Sequence, residues 1–310
     1  MMMTKTQNLI KNKMDLCGKG KFLKINENDT ANISVGKDVN NNYCLVIKGN
    51  SLRRKVNTSE AVSLELQDLG NNKKQLVFSL QKIELFDVFI SFTENIYRYL
   101  YKEKNDVIEK AYKRWIAYRQ LFLSNSKLYL SEPNILGLIG ELLFLTNYMF
   151  KNYSVEKSIL SWGGANYNKK DFEIDHTWYE IKTTTNLKKG ICISSLEQLD
   201  SPLTGFFVIH ELEKTTTTNS NAINLNNLVN KILMKINNPN IVDIFLNKLE
   251  EVGYKYDNFY KEYSYSLKET MHYTVNSDFP KLTRKSVPHG ILECTYKIDI
   301  NNIEMFRISK

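Results

Sequence analysis

The stretch Lys170-Asp171-Phe172-Glu173-Ile174-Asp175-His176-Thr177-Trp178-Tyr179-Glu180-Ile181-Lys182-Thr183-Thr184 alternates polar and apolar residues in two runs. That pattern predicts two half-buried antiparallel strands joined by a turn centred on His176-Thr177. Phe172, Ile174, Tyr179 and Ile181 then share one face, and Asp171, Glu173, Asp175, Glu180 and Lys182 the other. With that turn, Glu173 sits opposite Glu180 and Asp171 opposite Lys182. Like charges directly across a ladder are destabilising. A divalent cation held by oxygen ligands would neutralise them.

A further carboxylate stands upstream. Asn134 to Phe150 (NILGLIGELLFLTNYMF) reads as a helix that is apolar nearly all round, with Glu141 as its only acid. Glu141 shares a face with Leu138 and Leu145. A carboxylate on a buried face needs a partner, and the hairpin's acidic face could share a metal with it. Gly137 and Gly140 weaken the helix but permit close packing on a sheet.

Helical Gly140-Glu141, then Lys170-Asp171, then Glu180-Ile181-Lys182 resembles the PD-(D/E)XK nuclease superfamily, with Lys170 where proline is usual. Trp162-Gly163-Gly164, Thr183-Thr184, Phe279-Pro280-Lys281-Leu282 and Val287-Pro288-His289-Gly290-Ile291 extend the likeness. They make the chain similar to PD-(D/E)XK motif proteins of bacterial restriction and phage-defence gene clusters. The core likeness covers about Asn134 to Glu211. It implies an α/β (α+β) fold with a restriction-endonuclease-like core, a central mixed sheet flanked by helices. It also implies Mg²⁺, with Mn²⁺ able to substitute, held by Glu141, Asp171, Glu180 and the carbonyl of Ile181. Lys182 would hold the attacking water, and Gln198 is a candidate assisting residue. As plain surface chemistry, Lys182 is equally an ion-pair partner of the acids and Gln198 an ordinary polar residue.

The chain has 310 residues, 42% apolar and 25% charged, enough for one large domain or two smaller ones. Its formal net charge is +8 and its pI about 9.0. A basic excess suits a polyanionic partner, most simply DNA. An AT-rich genome, which favours Lys and Asn codons, would give the same excess. Cys17, Cys44, Cys192 and Cys294 are scattered and read as reduced thiols. Without a leader-like start or a bilayer-length apolar run, the expectation is a cytoplasmic protein with no membrane contact.

Three regions are expected. Residues 1–84 form a β-rich N-terminal region. Residues 85–215 lead through helices into the nuclease core. Residues 216–310 add a helical and β extension that could touch DNA. Residues 1–20 read as a loose lead-in, followed by strands near 31–35, 43–48, 61–66 and 75–80. Helices are expected over 85–101 and 107–123, the second with a basic side of Lys110, Lys113, Arg114 and Arg119. Ser154 to Leu160 reads as a short strand. Ser194-Ser195 should cap a helix over 196–199, and Gly205 to Glu211 reads as a buried strand. Helices follow over 225–236 and 241–252. The tyrosines from Tyr254 to Tyr265 suit either base stacking or packing. In the basic loop Phe279 to Gly290, Lys281, Arg284, Lys285 and His289 are the DNA-contact candidates, as is the cluster Arg53-Arg54-Lys55. Ile291 to Ile300 reads as a closing strand.

Taken with the resemblance, the constellation implies a Mg²⁺-dependent DNA endonuclease of a restriction or phage-defence system. Such an enzyme could work with a methyltransferase or ATPase of that system, and a homodimer is among the assemblies open to it. The competing reading is a non-cleaving DNA-binding or assembly subunit with a nuclease-like core. No P-loop or G-x-S-x-G signature supports other chemistry. The four histidines show no metal-ligand spacing, and His210, inside an apolar run, reads as a core residue.

Overall fold

The computed structural model describes residues 3–50, 58–122, 129–164, 170–216, 219 and 221–308. The cluster Arg53-Arg54-Lys55 and part of the loop before Lys170 lie outside them. The chain forms two compact units, each built from two separated stretches: Met1–Tyr129 with Asn230–Asn258, and Leu130–Val229 with Phe259–Lys310.

The first unit begins with helix α1 (Lys5–Leu16) rather than a loose lead-in. Thr4 and Gln7 form a reciprocal capping box, and Gln7, Ile10 and Met14 bury one stripe. Strands β1 (Lys21–Lys24), β2 (Asn32–Lys37), β3 (Tyr43–Asn50), β4 (Val62–Asp68) and β5 (Lys73–Leu80) make an antiparallel sheet in the order β1-β2-β3-β5-β4. Helices α2 (Phe86–Leu100) and α3 (Val107–Tyr118) pack with this sheet through Phe78, Phe92, Trp115, Tyr118 and Phe122. The basic side expected of α3 is incomplete. Arg114 is buried, with its guanidinium over the Tyr99 ring at 5.0 Å, and Lys110 pairs with Glu103 at 2.5 Å. Tyr254 and Tyr256 are buried too, so they serve packing.

The second unit carries the hairpin. Helix α4 (Glu132–Phe144) continues into a wider π turn, Leu145–Met149. Ser154 to Leu160 is not a strand. It opens helix α5 (Val155–Ser161), because the Ser154 hydroxyl accepts the Lys157 N–H at 3.2 Å and caps the first turn. Strands β6 (Phe172–Ile174), β7 (Thr177–Thr184), β8 (Ile191–Ile193), β9 (Gly205–Lys214), β10 (Tyr265–Val275) and β11 (Tyr296–Ile298) follow. They form a mixed sheet in the order β10-β9-β7-β6, with β7 and β9 parallel, and a small β11-β8 pair. The helix expected over 196–199 is a short 3₁₀ turn, Leu196–Gln198, without a side-chain cap. The closing strand is only the three residues of β11, since its partner, β8, is equally short. Tyr260 and Tyr265 are buried in this unit, and packing again accounts for them.

The hairpin register differs from the expected one by two residues. Ile174 pairs with Thr177, Glu173 with Trp178 and Phe172 with Tyr179. The turn is Asp175-His176, with φ of 48° and 64°. A two-residue hairpin of type I′ needs positive φ at both central positions, which Asp tolerates and β-branched Thr177 resists. The shift is even, so each residue keeps its face. One sheet face carries Phe172 and Tyr179 against Phe144 of α4. The other carries Trp178 into a core with Ile191, Ile193, Phe207 and Tyr273. His210, on β9, is buried with Nδ1 2.9 Å from the Thr270 hydroxyl, and burial pushes its pKa down to about 4.

Candidate active site

Close approach of α4 to β7 brings Glu141 to the sheet. A Cβ built on Gly140 would lie 1.9 Å from Thr183 Oγ1, so any larger residue would force Thr183 or the helix to shift. Glu141 is the next residue, and its Oε2 accepts the indole N–H of Trp162 at 2.7 Å. Trp162 is itself held by a bridge to Phe172.

Asp171 immediately precedes β6. Its Oδ2 accepts the Ile181 N–H at 2.6 Å, which places it beside the middle of β7. Glu180 is buried, and its Oε1 lies 2.8 Å from Lys182 Nζ. Two of the four predicted residues are thus neighbours on one strand, and Asp171 is fixed to the residue between them.

Electrostatics ties Glu141 to the same group. Burial, then the Asp171 charge, pushes the Glu141 carboxyl up to about 8, against the Trp162 hydrogen bond. Burial and Asp171 likewise push Glu180 to about 8, against Lys182. Asp171 is raised by burial, and Lys182 and the Ile181 N–H pull it back. Burial disfavours the Lys182 ammonium, yet Glu180 and Asp171 outweigh it and hold its pKa above the ordinary lysine value. Burial and the Asp171 charge, only partly offset by Lys182 and Lys170, disfavour full ionisation of this acidic group.

Among the described residues, no group of three or more His, Cys, Asp or Glu side chains is gathered closely enough to hold a metal ion. The donor chemistry nevertheless fits a hard divalent cation: three carboxylates whose ionisation burial disfavours, two of them raised further by the Asp171 charge, each with one oxygen already engaged.

The remaining candidates are placed as follows. Gln198 Oε1 accepts the Ser194 N–H at 2.9 Å and shapes its own turn. Lys285 and His289 are exposed. Lys281 is half-buried, which lowers its pKa against the pull of Asp200. Arg284 is engaged, with Glu197 Oε1 at 3.1 Å and the carbonyls of Ile291 and Leu292 at 2.8 and 3.1 Å. Two residues given no role from sequence also shape the site. One is Trp162, through Glu141. The other is Lys170, 5% exposed, whose ammonium sits 3.8 Å from the centre of the Trp178 ring. A lysine in the usual proline position was the available signal for the second.

A restriction-endonuclease-like α+β core that sets an acidic helix residue beside Asp-x₈-Glu-x-Lys defines the class as nuclease-like. A family model described as "Putative PD-(D/E)XK family member, (DUF4420)" matches residues 5–301, nearly the whole chain, and the chain belongs to that family. No curated protein and no solved structure matches at a significant level. Among the described residues, no helix is long and apolar enough to cross a membrane.

Proposed function

We propose that the chain is a Mg²⁺-dependent DNA endonuclease, with Mn²⁺ able to replace Mg²⁺, acting in the cytoplasm within a bacterial restriction or phage-defence system. DNA is its principal partner, and a methyltransferase or ATPase of the same system is a further one. What supports this reading is the arrangement at the middle of β7, with Asp171 Oδ2 on the Ile181 N–H, Glu180 Oε1 2.8 Å from Lys182 Nζ, and Glu141, held by Trp162, within electrostatic reach of all three.

Bound Mg²⁺, held by the three carboxylates and the Ile181 carbonyl, would polarise the scissile phosphate and acidify a water molecule. The chain's own groups do the rest. The Ile181 N–H and the Trp162 indole orient Asp171 and Glu141. Glu180 holds the Lys182 ammonium at 2.8 Å, protonated, where it stabilises negative charge developing on the phosphate. The net charge of +8 favours approach of a polyanion.

Purified protein should nick and then linearise supercoiled plasmid in Mg²⁺ or Mn²⁺. EDTA or Lys182→Ala should abolish this. Wild-type cleavage by Lys182→Ala would remove the centre from the reaction. DNA binding without cleavage in either metal would favour a non-cleaving DNA-binding or assembly subunit.

A further inference from the structure

Lys170 occupies the position directly before Asp171, and its side chain does more than fill space. Its Nζ donates to the carbonyls of Glu197 and Gln198, each at 2.8 Å, and lies 3.4 Å from the carbonyl of Asp200. An ammonium has three protons to give, and here three carbonyls of one turn receive them. The Trp178 ring covers the same ammonium, two residues before Glu180 on β7. Where a proline would stiffen the backbone before the acid through its ring, this lysine ties it to a neighbouring segment.

That segment leads outward. The Asp200 carboxylate accepts the Arg284 N–H at 3.0 Å, and the Glu197 carboxylate takes the Arg284 guanidinium at 3.1 Å. Arg284 then closes the loop behind it by donating to the carbonyls of Ile291 and Leu292. The closed loop holds the exposed Lys285 and His289. Two side chains, Lys170 and Arg284, therefore span the distance from the acidic centre to the basic loop, with the turn from Leu196 to Asp200 between them.

We propose that Lys170 is a positioning residue that fastens the basic, DNA-facing loop to Asp171, so that the phosphate grip and the acidic centre keep a fixed relation. The inference rests on the nuclease reading for its purpose but not for its geometry. Arg284, in this account, organises the loop rather than contacting DNA first.

The test compares Lys170→Met, which keeps the length but cannot donate, with Lys170→Arg, which can. Hydrogen exchange on the full chain should show the amides of Ser194, Asp200 and Arg284 losing protection in Lys170→Met and regaining it in Lys170→Arg. The amides of β9 should not change. Binding of a fluorescent DNA duplex in EDTA and single-turnover cleavage at saturating DNA provide the second readout. Lys182→Ala should affect the cleavage rate alone. Lys170→Met should weaken binding about tenfold and slow cleavage as well, and Arg284→Ala should reproduce the binding defect. The double variant Lys170→Met/Arg284→Ala should bind no more weakly than the worse single one, as expected of two members of one hydrogen-bonded network.

Unchanged exchange at those amides in Lys170→Met overturns the fastening. Loosened amides with wild-type binding and cleavage overturn the positioning role. If the wild-type protein neither binds nor cuts DNA, the nuclease reading falls, and the exchange result still decides whether Lys170 fastens the loop.

Discussion

Gly140→Ala gives the most direct test of how the site is assembled. The new methyl would lie 1.9 Å from Thr183 Oγ1, 3.3 Å from Thr183 Cβ and 3.6 Å from His210 Cδ2. An unstrained contact needs roughly 3.5 Å, so only the hydroxyl is in serious conflict. Thr183 can turn, but it is β-branched and sits in a strand, and turning brings another group towards the methyl. Overpacking of this kind costs about 1–3 kcal/mol. Replacing a helical glycine returns about 0.8–1.0 kcal/mol of propensity, leaving a net loss of up to about 2 kcal/mol. In a domain of this size that lowers the melting temperature by about 2–4 °C per kcal/mol. Thr183→Ala removes the clashing oxygen, which has no hydrogen-bond partner to lose. In that background Gly140→Ala should be neutral or stabilising. Cleavage should suffer more than stability, because Glu141 moves with the helix. A displacement near 1 Å costs about 100-fold in rate where groups must be aligned. A higher melting temperature for Gly140→Ala alone, or no relief from Thr183→Ala, would refute the account of α4 seated on β7.

Two further outcomes follow from the pocket's charges. Glu141 and Glu180 have ordinary pKa values of 4.5 and are pushed to about 8 when folded, so the folded metal-free protein binds more protons than the unfolded chain between those limits. Their contribution to stability is therefore full below about pH 4.5 and falls as pH rises towards about 8. Urea midpoints in EDTA should decline more steeply across that window in the wild type than in Glu141→Gln/Glu180→Gln, and parallel profiles would count against the pocket as described. Trp162→Phe removes the N–H that holds the Glu141 pKa down. The acid limb of the cleavage pH profile should then move to higher pH, and an unmoved limb would show that Glu141 need not ionise.

Much of the second unit was legible from local pattern. The apolar run from Gly205 forms a buried strand, the two-residue alternation of 170–184 gives the hairpin faces, and the apolar helix that carries Glu141 packs on the sheet. What escaped depended on signals the alternation hides. In α5, Ser154 ahead of Val155-Glu156-Lys157 is a helix start, and its capping bond prevailed over a short strand-like pattern. In α1 the mean hydropathy is low, and only the Thr4–Gln7 box and a narrow buried stripe mark the helix. β1 has exposed Phe22 and Leu23 and exists because β2 offers an edge, which no local rule reveals. The hairpin register turned on which two residues accept positive φ, a backbone question that side-chain periodicity does not address.

β6 is the short edge strand of its sheet. It pairs with β7 only from Phe172 to Ile174, ending opposite Tyr179. Two residues further on, the Ile181 N–H points to the same edge and meets the Asp171 carboxylate in place of a strand carbonyl. A longer β6 would give that N–H a backbone partner and leave the Asp171 side chain without its anchor. The shortness of the edge strand is thus what lets an acid enter the ladder, between Glu180 and Lys182, at the point where the sheet stops. The same end of β6 is where Lys170 leaves for the turn at Leu196–Asp200. The acid's position is therefore set from both sides, by the unpaired edge of β7 and by the tie just before it. Shifting either should displace Asp171 while leaving the sheet intact.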